Sequence, residues 1–182
     1  MSAPFSRLLE ARARALATVS VKVSEDGTAA AIVVAALGAD RIGIPLTAAR
    51  EVIPFAGAAS IPAAPAWFRG IVQLRGELLS VLDLQAWWRP GQSCRGKHLV
   101  VVEGKAGPIA LLADAIVEVR DVTSRDLADA LADDALQARP GVGSVTRDLI
   151  FVLDIERMLS HSALVIHQTS ALLLSGESGE HE

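Results

Sequence analysis

Residues 74–88 read "LRGELLSVLDLQAWW", and residues 145–159 read "VTRDLIFVLDIERML". The second stretch repeats the first 71 positions later. Setting Gly70 against Gly141 and running both forward over nineteen positions leaves five identities: Gly70/Gly141, Leu78/Leu149, Val81/Val152, Leu82/Leu153 and Asp83/Asp154. Ile71/Val142, Leu74/Val145, Glu77/Asp148, Leu79/Ile150 and Leu84/Ile155 are near swaps. A weaker echo upstream pairs "GIPLTAAREV" (43–52) with "PIALLADAIVEV" (108–119), with a two-residue insertion. Both echoes occur in the same order, which is the mark of an internal repeat.

The texture around the repeat is that of short strands. Apolar runs follow at intervals of about ten residues: 29–37, 41–46, 49–55, 70–74 and 77–84, then 98–103, 107–113, 115–120, 142–145 and 149–155. Gly, Asp, Arg and Gln punctuate them at 38–40, 75–76, 91–92, 104–107 and 147–148. Regular short strands with turn signals predict barrels or a sandwich rather than alternating strand and helix. Two repeats then give two units of about five strands. A small sheet escapes unpaired edges by closing on itself, and so small a barrel holds only side chains. The work of such a protein is expected on its surface.

Bulk properties exclude several classes. The chain has 182 residues, 51% of them hydrophobic, with aromatics at 4% and no tyrosine. It is long enough to bury a core and too apolar to be disordered. A net charge of −4 lacks the basic patch that phosphate neutralisation requires, so no nucleic-acid partner is expected. The single cysteine, Cys94, makes no internal disulfide, which fits a reducing compartment. Arg7, Glu10, Arg12 and Arg14 interrupt any apolar leader, so neither signal peptide nor membrane insertion is expected. No metal is expected either: the four histidines, at 98, 161, 167 and 181, lack ligand spacing with Cys94 or each other. "VEGKAG" (102–107) lacks phosphate-loop spacing, and no Ser sits in a Gly-x-Ser-x-Gly context. Cofactors and catalytic residues are therefore not expected.

Three segments stand outside the strand pattern. Residues 4–19 place Phe5, Leu8, Leu9, Leu16 and Val19 on one helical face, with Pro4 suited to a first turn. Residues 123–138 carry Leu127, Leu131, Ala135 and Leu136 at helical spacing behind Thr123 and Ser124, predicting one or two helical turns. Residues 175–182 read as a disordered acidic tail. Asp83 and Asp154 each close an apolar strand just before a helix-prone stretch. There a carboxylate accepts from the free N–H groups of a first turn, and that structural role explains their repetition better than a catalytic pair does. Trp67, Trp87 and Trp88 are expected to anchor the junction of the two units.

"PAWFRGIVQLRGELLSVLDL" (65–84) resembles the CheW family of chemotaxis adaptors, whose signature runs from a Pro through a Gly to an Asn-Leu-Arg-Gly turn and a strand ending Val-Asp-Leu. "RIGIPLTAAREVIPF" (41–55) and "HLVVVEGKAGPIALLADAIVEVRDV" (98–122) look like its other strand pairs, and the N-terminal stretch is similar to the leader of CheW-like proteins in type IV pilus (twitching) systems. Gln73 stands where the family has Asn, Ile42 where an aromatic is common, and Ala49 where a larger apolar residue is frequent. The resemblance implies a mainly β fold: two intertwined five-stranded SH3-like β-barrels with short N-terminal and C-terminal helices. It implies an N-terminal helix and linker at 1–27 and a CheW-like domain at 28–174, its subdomains roughly 28–90 and 91–160. It further implies a cytoplasmic adaptor, recruited to membrane-associated receptor arrays, which couples the chemoreceptor cytoplasmic tip to the regulatory domain of a CheA-type histidine kinase. Partner-binding positions carried over are Ala49, Glu51, Val52, Gly70 and Arg75, with Gly76 giving the turn its conformational freedom. A small β-barrel enzyme or ligand-binding protein outside chemotaxis is the competing expectation.

Overall fold

A computed structural model describes residues 30–105, 107–129 and 139–164. The expected N-terminal helix and acidic tail lie outside the described residues. Among the described residues are eleven strands and two short helices: β1 (Ala30–Leu37), β2 (Asp40–Pro45), β3 (Ala49–Pro54), β4 (Phe68–Leu74), β5 (Glu77–Leu82), α1 (Leu84–Trp88), β6 (His98–Gly104), β7 (Gly107–Ala113), β8 (Ala115–Val122), β9 (Leu127–Asp129), β10 (Val142–Thr146), β11 (Ile150–Leu153) and α2 (Ile155–Leu159). Each apolar run of the sequence became a strand, and the fold is mainly β with two intertwined SH3-like barrels.

The two sheets are not the two halves of the sequence. One is ordered β8-β1-β2-β11-β10-β9 and the other β3-β6-β7-β5-β4. Each is built on the first hairpin of one repeat, β1–β2 or β6–β7. The third strand of the other repeat, β8 or β3, pairs antiparallel on one side. The closing hairpin of that same other repeat joins on the far side through a parallel pair, β2–β11 or β7–β5. The repeats thus exchange their last three major strands, and sheet membership crosses the 90/91 division. Of the stretch 123–138, expected to hold one or two helical turns, Leu127–Asp129 form a short strand and residues 130–138 lie outside the described residues. Thr123 and Asp126 do make a helix-start signal, the Thr123 N–H and hydroxyl both donating to Asp126 Oδ2 at 3.0 and 2.6 Å. It supports a single 3-10 turn, Ser124–Asp126, before Leu127–Asp129 pair with β10.

The upstream echo is accurate in register. On β3, Ala49 and Glu51 oppose Val102 and Val101, which leaves Arg50 as a bulge. On β8, Ile116 and Glu118 oppose Ala35 and Val34, which leaves Val117 as a bulge. Glu51/Glu118 and Val52/Val119 are therefore structural equivalents, bulge included. The downstream echo holds only in its second arm. Leu82 pairs with Phe68 and Leu153 with Val142, so the counterpart of Phe68 is Val142. Val81 pairs with Gly70 and Val152 with Ser144. Gly70 thus corresponds to Ser144, and its match with Gly141 is a coincidence of spacing. Beyond the equivalent pairs Ile71–Ser80 and Val145–Phe151, the first hairpin runs through residues 72–79 and the second through 146–150 only. The first hairpin is longer by three residues at its tip.

One apolar core unites the sheets. Val33, Ala35, Leu37, Ile42 and Ile44 of the first pack with Leu79, Val81, Val101, Leu111 and Leu112 of the second. The opposite face of β1, Ile32 and Val34, packs separately with Val122 and Ile150. β1 is therefore buried on both faces, which is why "AAIVVAAL" runs apolar without alternation. Trp88 lies in the core and donates its indole N–H to the Pro140 carbonyl at 3.0 Å, while Trp87 stacks edge-on against His161. α1 of the first repeat is thereby fastened to the second.

Candidate partner-binding site

The three extra residues of the β4–β5 hairpin carry its tip beyond anything the second repeat offers. Leu74 pairs with Glu77, so Arg75 and Gly76 alone make the turn, at φ +51° and +89°. Positive φ at both central residues is a type I′ turn, whose twist matches that of the flanking strands. A Cβ at Gly76 would meet nothing within 4 Å, so the position asks for glycine only through its backbone. Arg75 adopts the same left-handed region with a side chain, at a cost the surrounding ladder sustains.

The hairpin tip leans on the edge strand β3 through two ion pairs of crossed polarity. Arg75 Nη2 donates to Glu51 Oε2 at 3.0 Å, and Arg50 Nη1 donates to Glu77 Oε2 at 2.8 Å. Burial is unequal: the Glu51 side chain is 9% exposed and that of Arg75 73%. A buried carboxylate thus holds one nitrogen of a guanidinium fork whose remaining donors face solvent. A fork anchored at its base and free at its rim is suited to a carboxylate on a partner. Leu78, two residues past the turn, is 71% exposed beside it.

The remaining carried-over positions fall elsewhere. Ala49 opens β3 with its side chain in the shared core, 2% exposed, and presents nothing to a partner. Val52 is half-buried against the same core. Gly70, at φ +122°, does permit a close backbone approach, but the visitor is the chain's own loop. Ala59 and Ile71 exchange N–H···O bonds of 2.8 and 2.9 Å, and a Cβ on Gly70 would sit 2.3 Å from the Ala59 carbonyl oxygen. This bridge covers the edge of β4. Of the partner-binding positions, the structure brings together Glu51 and Arg75. Arg50, Glu77 and Leu78 join them unannounced, because no spacing rule pairs residues 24 to 27 positions apart.

Asp83 and Asp154 both cap helices, accepting from the N–H of Ala86 at 3.1 Å and of Arg157 at 2.9 Å. Asp83 is wholly buried, and its second oxygen also accepts from the Ser93 hydroxyl at 2.6 Å and the Cys94 N–H at 3.3 Å. It thereby fixes the connection to β6. Burial pushes the Cys94 thiol up to about 12, with Asp83 and Asp114 adding to the effect, so it stays protonated and unreactive. Among the described residues, no His, Cys, Asp and Glu gather to hold a metal ion. No helix among them is long and apolar enough to cross a membrane.

Known proteins bear the same pattern. The CheW-like domain family matches residues 31–163. A probable chemotaxis protein CheW of Rhizobium etli is 24% identical over 144 residues, covering 78% of this chain and 81% of that protein. The chemotaxis protein CheW of Klebsiella aerogenes is 22% identical over 156 residues, covering 83% and 93%. Over 95 residues, half of this chain and 60% of the relative, identity to the CheW of Rhizobium meliloti is 30%. The crystal structure of the scaffolding protein TtCheW from Thermoanaerobacter tengcongensis superposes with a TM-score of 0.63 at 21% identity, covering 79% of this chain and 96% of that one.

Proposed function

Because the chain belongs to the CheW-like domain family, we propose that it is a non-enzymatic adaptor of a chemotaxis or type IV pilus motility system. In this reading it joins the cytoplasmic tip of chemoreceptors to the regulatory domain of a CheA-type histidine kinase, and works in the cytoplasm at membrane-associated receptor arrays. The names of its relatives support the scaffold role. The observation that carries the site is the Arg75 fork, braced by buried Glu51 on a turn that the equivalent β10–β11 hairpin lacks.

The chemistry required is recognition alone. A rigid barrel presents Arg75 and Leu78 with little left to order on binding, so contact energy is not spent on fixing a loop. Salt-sensitive contact to a partner carboxylate through Arg75 and apolar contact through Leu78 make a small anchor of the kind that dominates interfaces. The test is binding of the purified protein to a receptor signalling-tip fragment and to a kinase regulatory domain, by calorimetry. Arg75→Glu is expected to abolish at least one of the two interactions while circular dichroism stays unchanged. Wild-type affinity for both partners in Arg75→Glu would reject the site, and failure of the native protein to bind either would reject the adaptor reading.

A further inference from the structure

A groove of about 510 Å³ lies between the β2–β3 turn, the end of β6, the β10–β11 hairpin and the start of α2. Its floor is apolar, formed by Ala48, Val152 and Ile155, and its rim carries Glu103, Asp154 and Glu156. Among the described residues, no Lys or Arg lines it. Asp154 and Glu156 each engage one oxygen locally, with the Arg157 and Lys105 N–H groups at 2.9 and 3.0 Å. The groove thus offers an apolar bed and unneutralised negative charge to something amphipathic and basic.

Such a segment precedes the groove's wall in the chain. The Leu46 N–H donates to the Ala31 carbonyl at 2.8 Å, and Ile32 pairs with Pro45, so residues 1–29 join the barrel alongside Pro45, Thr47 and Ala48. Residues 4–19 hold Arg7, Arg12 and Arg14 against the single acid Glu10, together with Phe5, Leu8, Leu9, Leu16 and Val19. We propose that residues 4–19 dock into this groove of their own molecule, arginines to the acidic rim and apolar side chains to the floor.

Residues 20–29 connect the two and span at most ~33 Å, ample for a groove that begins beside Ala31. Tethering supplies an effective concentration on the order of 1 mM, so an intrinsic affinity of only ~0.1 mM leaves the groove about 90% occupied. Any partner segment using the groove must displace its resident. The inference does not depend on the adaptor reading.

The test is paramagnetic broadening in the full-length protein. A nitroxide is attached through Ser6→Cys, the buried Cys94 staying unlabelled. The expected result is loss of most intensity at the amides of Thr47, Gly143 and Ser144. Replacing Arg7, Arg12 and Arg14 together by Glu should restore it, as should about 1 M salt, where the screening length falls to ~3 Å. Isotope-labelled protein without nitroxide, mixed with nitroxide-bearing unlabelled protein, should show no broadening. Full groove intensity in the first sample overturns the inference. Broadening in the mixed sample also overturns it, because the occupant is then a second copy.

Discussion

Leu78 and Leu149 match in the aligned repeats, and both stand in solvent, 71% and 70% exposed. Their backbones differ. Leu78 lies extended in β5 opposite Gln73, whereas Leu149 ends the shorter β10–β11 turn at φ +62°. A left-handed leucine costs roughly 1–2 kcal/mol that glycine does not. An exposed side chain returns little of this by burial. Leu149→Gly is therefore expected to raise stability by about 1 kcal/mol, read as a higher urea midpoint at unchanged slope. A lower midpoint would mean that the leucine packs more than its exposure indicates.

At the other turn, conformation and recognition can be separated. Asn-Gly is a favoured pair for a type I′ turn, so Arg75→Asn relaxes the strain at φ +51° while deleting the guanidinium. Lost pairing to Glu51 offsets part of the gain, because a largely buried carboxylate is left with fewer donors. The net change in stability should stay within about 1 kcal/mol, whereas partner affinity should fall at least tenfold. Thermal unfolding and calorimetry on the same preparation check both halves. Gly76→Ala is the converse, costing about 1 kcal/mol or more with the arginine intact.

The two capping aspartates are not equal. Asp154→Ala removes one exposed cap and should cost ~1 kcal/mol. Asp83→Ala removes a buried cap and leaves the Ser93 hydroxyl and Cys94 N–H short of an acceptor, so ~3 kcal/mol is expected from the cap plus two further bonds. Chemical denaturation of the two variants side by side tests the ranking. Equal losses would show that the connection to β6 is not held by Asp83.

The same comparison shows what a sequence can carry. Strand positions are written locally, in runs bounded by turn residues, and duplication shows as the shared "VLD" of residues 81–83 and 152–154. Partner choice between strands is not local. Nothing in β5 or β11 says that each joins the other repeat's hairpin in parallel, since that follows from how the shared core closes. Gly70 and Gly141 align in sequence because three missing residues at the second tip shift only one arm of that hairpin. The Glu51–Arg75 pair is hidden for the same reason: it joins an edge strand to a turn through the closure of the barrel. Leu127, which sequence spacing sets in a helical period, opens a strand at Leu127–Asp129 instead, where the edge of β10 outweighed local periodicity.

Acid should loosen the first sheet from one identifiable place. Arg120 on β8 donates to Asp148 Oδ1 at 2.8 Å and the Thr146 hydroxyl donates to the same oxygen at 2.6 Å, tying the edge strand to the β10–β11 turn. These bonds, Arg120's first, hold the Asp148 carboxyl at about 2, below its ordinary value of 3.8. A carboxyl whose acidity is greater in the folded than in the unfolded chain stabilises the fold above about pH 4 and loses that contribution as pH falls towards 2. Half of the Asp148 side chain is exposed, so screening keeps the contribution below about 1 kcal/mol. Arg120→Met should accordingly lower the urea midpoint at about pH 6 and converge on the native protein near pH 2. Asp126 is held below the usual carboxylate range mainly by Thr123 and only weakly by Arg120, so the difference between the curves reports Arg120's pairing with Asp148 first, with smaller contributions from Glu118 and Asp126. A constant offset down to pH 2 would instead assign the loss to packing of the arginine stem rather than to its charge.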